Sequence, residues 1–135
     1  MENKNYKIVM VDDEKELREI CAEILKSQGY QIDQYADASE ALERLQFPVD
    51  LLITDVSLPG MTGIEMAKNF YFDLIQKGKP IVPVLFVSGQ IHDNLKIPGA
   101  GSDDIFQLTK PFNMANIVGM VGQILSSRKP TSKAS

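Results

Sequence analysis

One cysteine and one histidine are all that the 135 residues provide, and both scarcities exclude chemistry. Cys21 alone cannot close an internal disulfide, and no paired Cys/His spacing of a zinc site exists. Basic residues are in the minority, 14 against 18 acidic, for a net charge of −4. No basic stripe is therefore on offer to neutralise phosphates, which argues against direct nucleic-acid binding. Long apolar runs are missing too. Residues 81–87 form the longest later run, are interrupted by Pro83, and fall far below membrane-spanning length. Near the start, residues 1–7 are polar and the apolar run 8–11 is too short for a secretory signal. These absences fit a cytoplasmic protein with no membrane association. Internal repeats and low-complexity domains are absent as well.

The content that remains, 44 % hydrophobic and 24 % charged, is ordinary for a globular chain long enough to bury a real core in one domain. Apolar runs of strand length (8–11, 31–36, 51–54, 84–87 and 105–109) alternate with stretches of helical period. Leu17, Ile20, Cys21, Ile24 and Leu25 make an i, i+3, i+4, i+7, i+8 stripe over residues 14–28. Asp13 is placed to cap that helix and Gly29 to end it. Shorter helical patterns follow at 39–45 behind a serine cap, at 65–75 and at 114–125. Five strands alternating with helices predict an α/β fold with a mostly parallel sheet, whose continuously apolar central strands are buried on both faces. One connection is poor: residues 91–104 hold Pro98, Gly99 and Gly101, so the helix there is predicted to be short, irregular or mobile. Residues 126–135 are polar and aperiodic, as in a flexible tail or linker stub.

The informative feature is where polar residues fall. Four strand runs end in a chemically capable residue: Asp12 and Asp13, then Asp55, then Ser88, then Lys110. In an open parallel sheet the carboxyl ends of the strands converge on one crevice, where ligands bind. Three carboxylates crowded together repel one another, and a divalent cation relieves that repulsion. A hard oxygen cage with open positions suits Mg²⁺. Asp55, on the middle strand, is the natural nucleophile, because a carboxylate carries a phosphoryl group as an acyl phosphate. Lys110 brings a compact positive charge to the phosphoryl oxygens, and the Ser88 hydroxyl can donate a hydrogen bond to one of them.

These residues resemble the receiver domain of bacterial two-component response regulators. The segments that carry the likeness are VDDE at 11–14, DVSLPGMTGIE at 55–65, SG at 88–89 and KPF at 110–112, and together they span roughly 7–125. The resemblance implies a flavodoxin-like, doubly wound five-stranded parallel sheet in the order 2-1-3-4-5, with about five helices and an irregular fourth, over residues 1–125. It implies a phosphoacceptor signalling module rather than an enzyme. A sensor histidine kinase or histidine phosphotransfer protein would donate the phosphoryl group to Asp55, and the switch would control an unidentified downstream partner or output domain. A phosphorylation-dependent dimer is a further partnership of such modules.

By the same resemblance Asp13 and Asp55 are direct Mg²⁺ ligands, Asp12 binds mostly through water, and the Ser57 backbone carbonyl completes the protein's share. Lys110 precedes a proline, Pro111, whose peptide bond is usually cis in the family. Ser88 matches the switch hydroxyl and Gly89 the small residue after it. Ser57 and Gln90 flank the path of attacking water and so bear on phosphoryl lifetime. Pro59, Gly60 and Gly63 match the loop entering the third helix. Two positions depart from the pattern. Thr62 stands where aspartate is frequent. Gln107 stands where an aromatic usually swings inward with the switch hydroxyl, and Phe106 beside it points to the other face. An output through another face, or through ordering of a loop, follows as an expectation.

Other readings give weaker fits. An aspartyl phosphohydrolase would show a second aspartate two residues after the nucleophile, where Ser57 stands, and a docking domain independent of phosphorylation would not need the full residue set. His92 reads as a surface loop residue and Cys21 as a small core residue. Phe70, Tyr71 and Phe72 are consecutive on one helix, so they cannot all face the core.

Overall fold

In a computed structural model, residues 6–93 and 95–130 are described. The chain runs β1 (Lys7–Val11), α1 (Lys15–Ser27), β2 (Gln31–Tyr35), α2 (Ala38–Arg44), β3 (Leu51–Asp55), α3 (Gly63–Gln76), β4 (Val84–Ser88), β5 (Ile105–Thr109) and α4 (Met114–Ser126). All strand pairings are parallel and the order is β2-β1-β3-β4-β5, as the resemblance implied. The helix count is four among the described residues rather than about five. Among the described residues between β4 and β5 no helix forms, and Pro98, Gly99 and Gly101 cut short the weak helical pattern that precedes them.

Alternation along each strand divides the core in two. Val9, Val11, Leu52, Val84 and Phe86 face α2 and α3, whereas Ile8, Met10, Leu51, Ile53, Leu85 and Val87 face α1 and α4. β3 and β4 are buried at every position, which is why they read as unbroken apolar runs. On α1 the stripe narrows: Cys21 and Leu25 are buried, but Ile20 is 53 % exposed and Ala22 takes its place inside. Phe70 and Tyr71 are buried, and Phe72 points outward.

Helix ends correct three local expectations. Glu14, not Asp13, stands at the start of α1, and its amide donates to Asp12 Oδ1 at 2.9 Å. Asp37, not a serine, caps α2 by accepting the Glu40 amide at 2.7 Å. Helix α3 begins two residues earlier than the apolar pattern, because Thr62 and Glu65 exchange the reciprocal bonds of a capping box. Gly29, at φ 100°, does end α1: its amide reaches Lys26 and that of Tyr30 reaches Leu25. Helix α4 runs to Ser126, and Arg128 Nη2 donates to the Asp103 carbonyl at 2.7 Å. Of the expected tail, residues 131–135 lie outside the described residues. No described helix is long and apolar enough to cross a membrane.

Candidate functional site

The parallel register carries the strand ends to one edge. β1 leads into Asp12, β3 ends on Asp55, β4 ends on Ser88 beside Thr109, and Lys110 follows β5 directly. The Lys110 amide donates to the Ser88 carbonyl at 2.8 Å, so the last two strand ends are tied together by backbone. The bond between Lys110 and Pro111 is cis. Asp12, Asp13 and Asp55 each present a carboxylate oxygen within 4.8 Å of the others. Asp12 and Asp55 are buried and Asp13 is exposed, so the cluster opens to solvent on one side only.

Lys110 reaches into this cluster. Its Nζ lies 2.9 Å from Asp55 Oδ2, 3.0 Å from Glu14 Oε1 and 3.7 Å from Asp12 Oδ2. The other Asp55 oxygen, Oδ1, accepts the Ser57 amide at 3.0 Å. Burial alone would push the ammonium of Lys110 down. The hydrogen bonds to Asp55 and Glu14 and the charges of Asp12 and Asp55 outweigh it and hold it above the ordinary lysine range. Asp12 moves the opposite way from a paired carboxylate: burial raises its proton affinity first, and the charges of Asp55 and Glu14 add to this. The Glu14 amide and Lys110 only partly offset the rise. Three carboxyl groups thus face one ammonium, and Asp13 adds a fourth beside Asp12 and Asp55. Such a set of hard oxygen donors, short of positive charge and open on one side, fits a divalent cation.

Ser88 stands apart from the carboxylates in its bonding. Its hydroxyl lies 3.0 Å from His92 Nε2 and accepts the Gln90 amide at 3.3 Å. His92 is therefore not the plain surface residue its loop position implied: it is half-buried and bonded. Gln107 is half-buried on the α2/α3 side of β5 and bonds the His92 backbone, while Phe106 packs on the opposite side. Gly89, Gln90 and Ser57 are exposed at the rim.

Three participants escaped the sequence reading. Glu14 belongs to the VDDE segment but has no strand-end position to flag it. Arg18 Nη1 donates to the Asp12 carbonyl at 2.8 Å and its Nε to Gln34 Oε1 at 3.2 Å, a bridge made by tertiary packing. His92 carries no periodic signal at all.

Comparison with known proteins agrees with this geometry. A family model described as the response regulator receiver domain matches residues 8–122. The chain is similar to the regulatory protein VanR of Enterococcus faecium, 32 % identical over 118 residues, 85 % of this chain and 48 % of VanR. It thus spans about half the length of the first curated relatives it matches. It is also similar to the receiver protein CpdR of Brucella abortus, 28 % identical over 120 residues, 88 % of this chain and 96 % of that protein. Among solved structures, the response regulator TrrA of Thermotoga maritima, determined in complex with Mg(2+)-BeF, superposes with a TM-score of 0.69 at 28 % identity. That match covers 89 % of this chain and 99 % of TrrA.

Proposed function

The chain belongs to the response regulator receiver domain family, a module of two-component signalling, and from that premise we propose that Asp55 is its phosphoacceptor. A carboxylate oxygen of Asp55 attacks phosphorus, the P–N bond of a donor phosphohistidine breaks, and the imidazole nitrogen takes back a proton. The product is an acyl phosphate on Asp55. The observation that carries this reading is the direct bond from Lys110 Nζ to Asp55 Oδ2 inside a cluster of three aspartates.

Asp13, Asp55 and the Ser57 backbone carbonyl would hold Mg²⁺ directly, with Asp12 acting through water. The ion supplies positive charge that offsets the carboxylates and the incoming phosphoryl oxygens. Lys110 neutralises a phosphoryl oxygen, and Ser88 donates its hydroxyl to another. Ser57 and Gln90 border the approach of hydrolytic water and set the lifetime. Turnover is confined to the protein's own aspartate, so the module is a switch rather than an enzyme acting on a separate substrate.

The donor is a sensor histidine kinase or a histidine phosphotransfer protein, and the site of action is the cytoplasm. The receiver unit is residues 1–125, with the last turn of α4 carrying on to Ser126. Output passes by protein contact to a partner or output domain, with a phosphorylation-dependent dimer as one form of it. The net charge of −4 fits protein rather than nucleic acid as that contact. Incubation with acetyl phosphate and Mg²⁺ tests the reading. Intact mass gains one phosphoryl group, and Asp55→Asn abolishes the gain. A gain that survives Asp55→Asn overturns the assignment.

A further inference from the structure

The Ser88 hydroxyl is the first member of a chain of bonds that ends on β5. His92 Nε2 lies 3.0 Å from Ser88 Oγ. The backbone of the same histidine is gripped at both polar groups by one side chain: its N–H donates to Gln107 Oε1 at 2.9 Å, and its carbonyl accepts from Gln107 Nε2 at 2.9 Å. Only one orientation of the carboxamide makes both bonds, so the network fixes it. Gln107 pairs with Phe86 in the β4–β5 ladder, two residues before Ser88 pairs with Thr109. The loop between those strands borders a cavity of about 940 Å³ lined by Ile91, His92, Leu95, Ile97 and Gln107 among others. Among the described residues no helix lies between β4 and β5, and side-chain bonds of this kind hold the loop down.

We propose that His92 is a positioning residue for the Ser88 hydroxyl, held in turn by Gln107, and that this trio passes the state of Asp55 to the loop after β4. The inference rests on the reading that Ser88 meets the phosphoryl group. A serine hydroxyl has one proton and two lone pairs, and the Gln90 amide already occupies one lone pair. If His92 Nε2 donates, both lone pairs are filled and the proton is left free for a phosphoryl oxygen. If Nε2 accepts, the proton must leave His92 to reach that oxygen. Under either tautomer, what Ser88 binds is felt at His92, whose backbone is fastened to β5. A glutamine at 107 thereby makes a two-way hydrogen-bonded link to His92 that an aromatic side chain, lacking a carboxamide, could not make.

A double-mutant cycle on the full chain tests this, with wild type, Ser88→Ala, His92→Phe and the double variant. His92→Phe keeps a ring of similar bulk and removes both nitrogens. Each protein is treated with acetyl phosphate and Mg²⁺, the rate of phosphoryl gain is followed by intact mass, and backbone amide shifts of residues 91–93 are recorded by NMR. The expected result is that His92→Phe changes the rate by about threefold or more when Ser88 is present and not when it is replaced, as coupled contacts do. Phosphorylation then shifts the 91–93 amides in wild type but much less in His92→Phe. Gln107→Leu, which leaves Ser88 and the imidazole intact, is expected to shrink the same shifts. Equal effects of His92→Phe in both backgrounds, or undiminished loop shifts in both loop variants, overturn the inference alone. Absence of any mass gain in wild type overturns the parent reading as well.

Discussion

Gly63 sits so close behind Asp55 that a Cβ added to it would lie 2.1 Å from the Asp55 carbonyl oxygen and 3.0 Å from the carbonyl carbon. The first residue of α3 is thereby pressed onto the backbone of the residue that carries the site. A side chain there meets main chain, which cannot rotate away. Gly63→Ala is expected to cost about 1–3 kcal/mol, the range of overpacking in a tight interior. It should also slow phosphoryl gain by moving Asp55. Urea unfolding and intact mass measure the two effects, and wild-type stability for this variant would contradict the packing.

Asp12 makes stability depend on pH in a definite direction. Its proton affinity is raised in the fold by burial and by neighbouring carboxylates. The native state therefore binds more protons than the unfolded state just above the ordinary aspartate range, and stability falls as pH rises through that window. In metal-free protein at neutral pH, Asp12→Asn removes the penalty while keeping an oxygen for the Glu14 amide. We expect a Tm higher by about 3 °C, the shift produced by roughly 1 kcal/mol in a domain of this size. An unchanged or lower Tm argues that Lys110 already compensates Asp12 in full.

Mg²⁺ should raise the Tm in proportion to the logarithm of its concentration. At a hundredfold excess over Kd the gain is about 2.7 kcal/mol. Asp13, exposed at the open side of the cluster, is the aspartate whose loss should weaken this response most simply. Thermal melts of wild type and Asp13→Asn across a magnesium series give the comparison. Equal magnesium responses would remove Asp13 from the metal site.

Tyr71 is fully buried, and its hydroxyl donates to the Val82 carbonyl. Tyr71→Phe should cost about 1 kcal/mol, since a buried carbonyl loses its partner. The same burial, with the charge of Asp104, holds the phenol well above its usual range. Tyr6, Tyr30 and Tyr35 are raised as well, chiefly by burial. The native state thus keeps protons that the unfolded state releases above pH 10, and stability is lost as pH climbs past that point. Denaturation midpoints between neutral and strongly alkaline pH follow this loss, and a smaller loss in Tyr71→Phe identifies its share.

Gln90 is exposed two residues after Ser88, and its amide, not its side chain, makes the bond to that hydroxyl. If the side chain orients attacking water, Gln90→Ala prolongs the acyl phosphate after acetyl phosphate is removed. A half-life equal to wild type, followed by intact mass, leaves Gln90 as a loop residue with no part in hydrolysis.

The five strands were legible in the sequence because a parallel sheet buried on both faces demands apolar runs, as in β3 and β4, whereas their order followed only from the resemblance to receiver domains. The gathering of Asp12, Asp13, Asp55 and Lys110 was legible for a related reason: residues that end parallel strands share an edge whatever lies between them in sequence. Thr62 and Glu65 could have been read as a capping box at their three-residue spacing, which would have placed the start of α3 correctly. The partners of Ser88 could not. His92 stands in a loop without periodicity, and its position depends on a glutamine 15 residues later that reaches across from β5. Glu14 and Arg18 likewise join the site only through the packing of α1 against the strand ends. Local pattern determines which backbone groups become strands and where those strands end. Which hydroxyl, imidazole or amide meets across a loop is decided by tertiary contacts, because hydrogen bonds depend on distance and direction in space and leave no period in the chain.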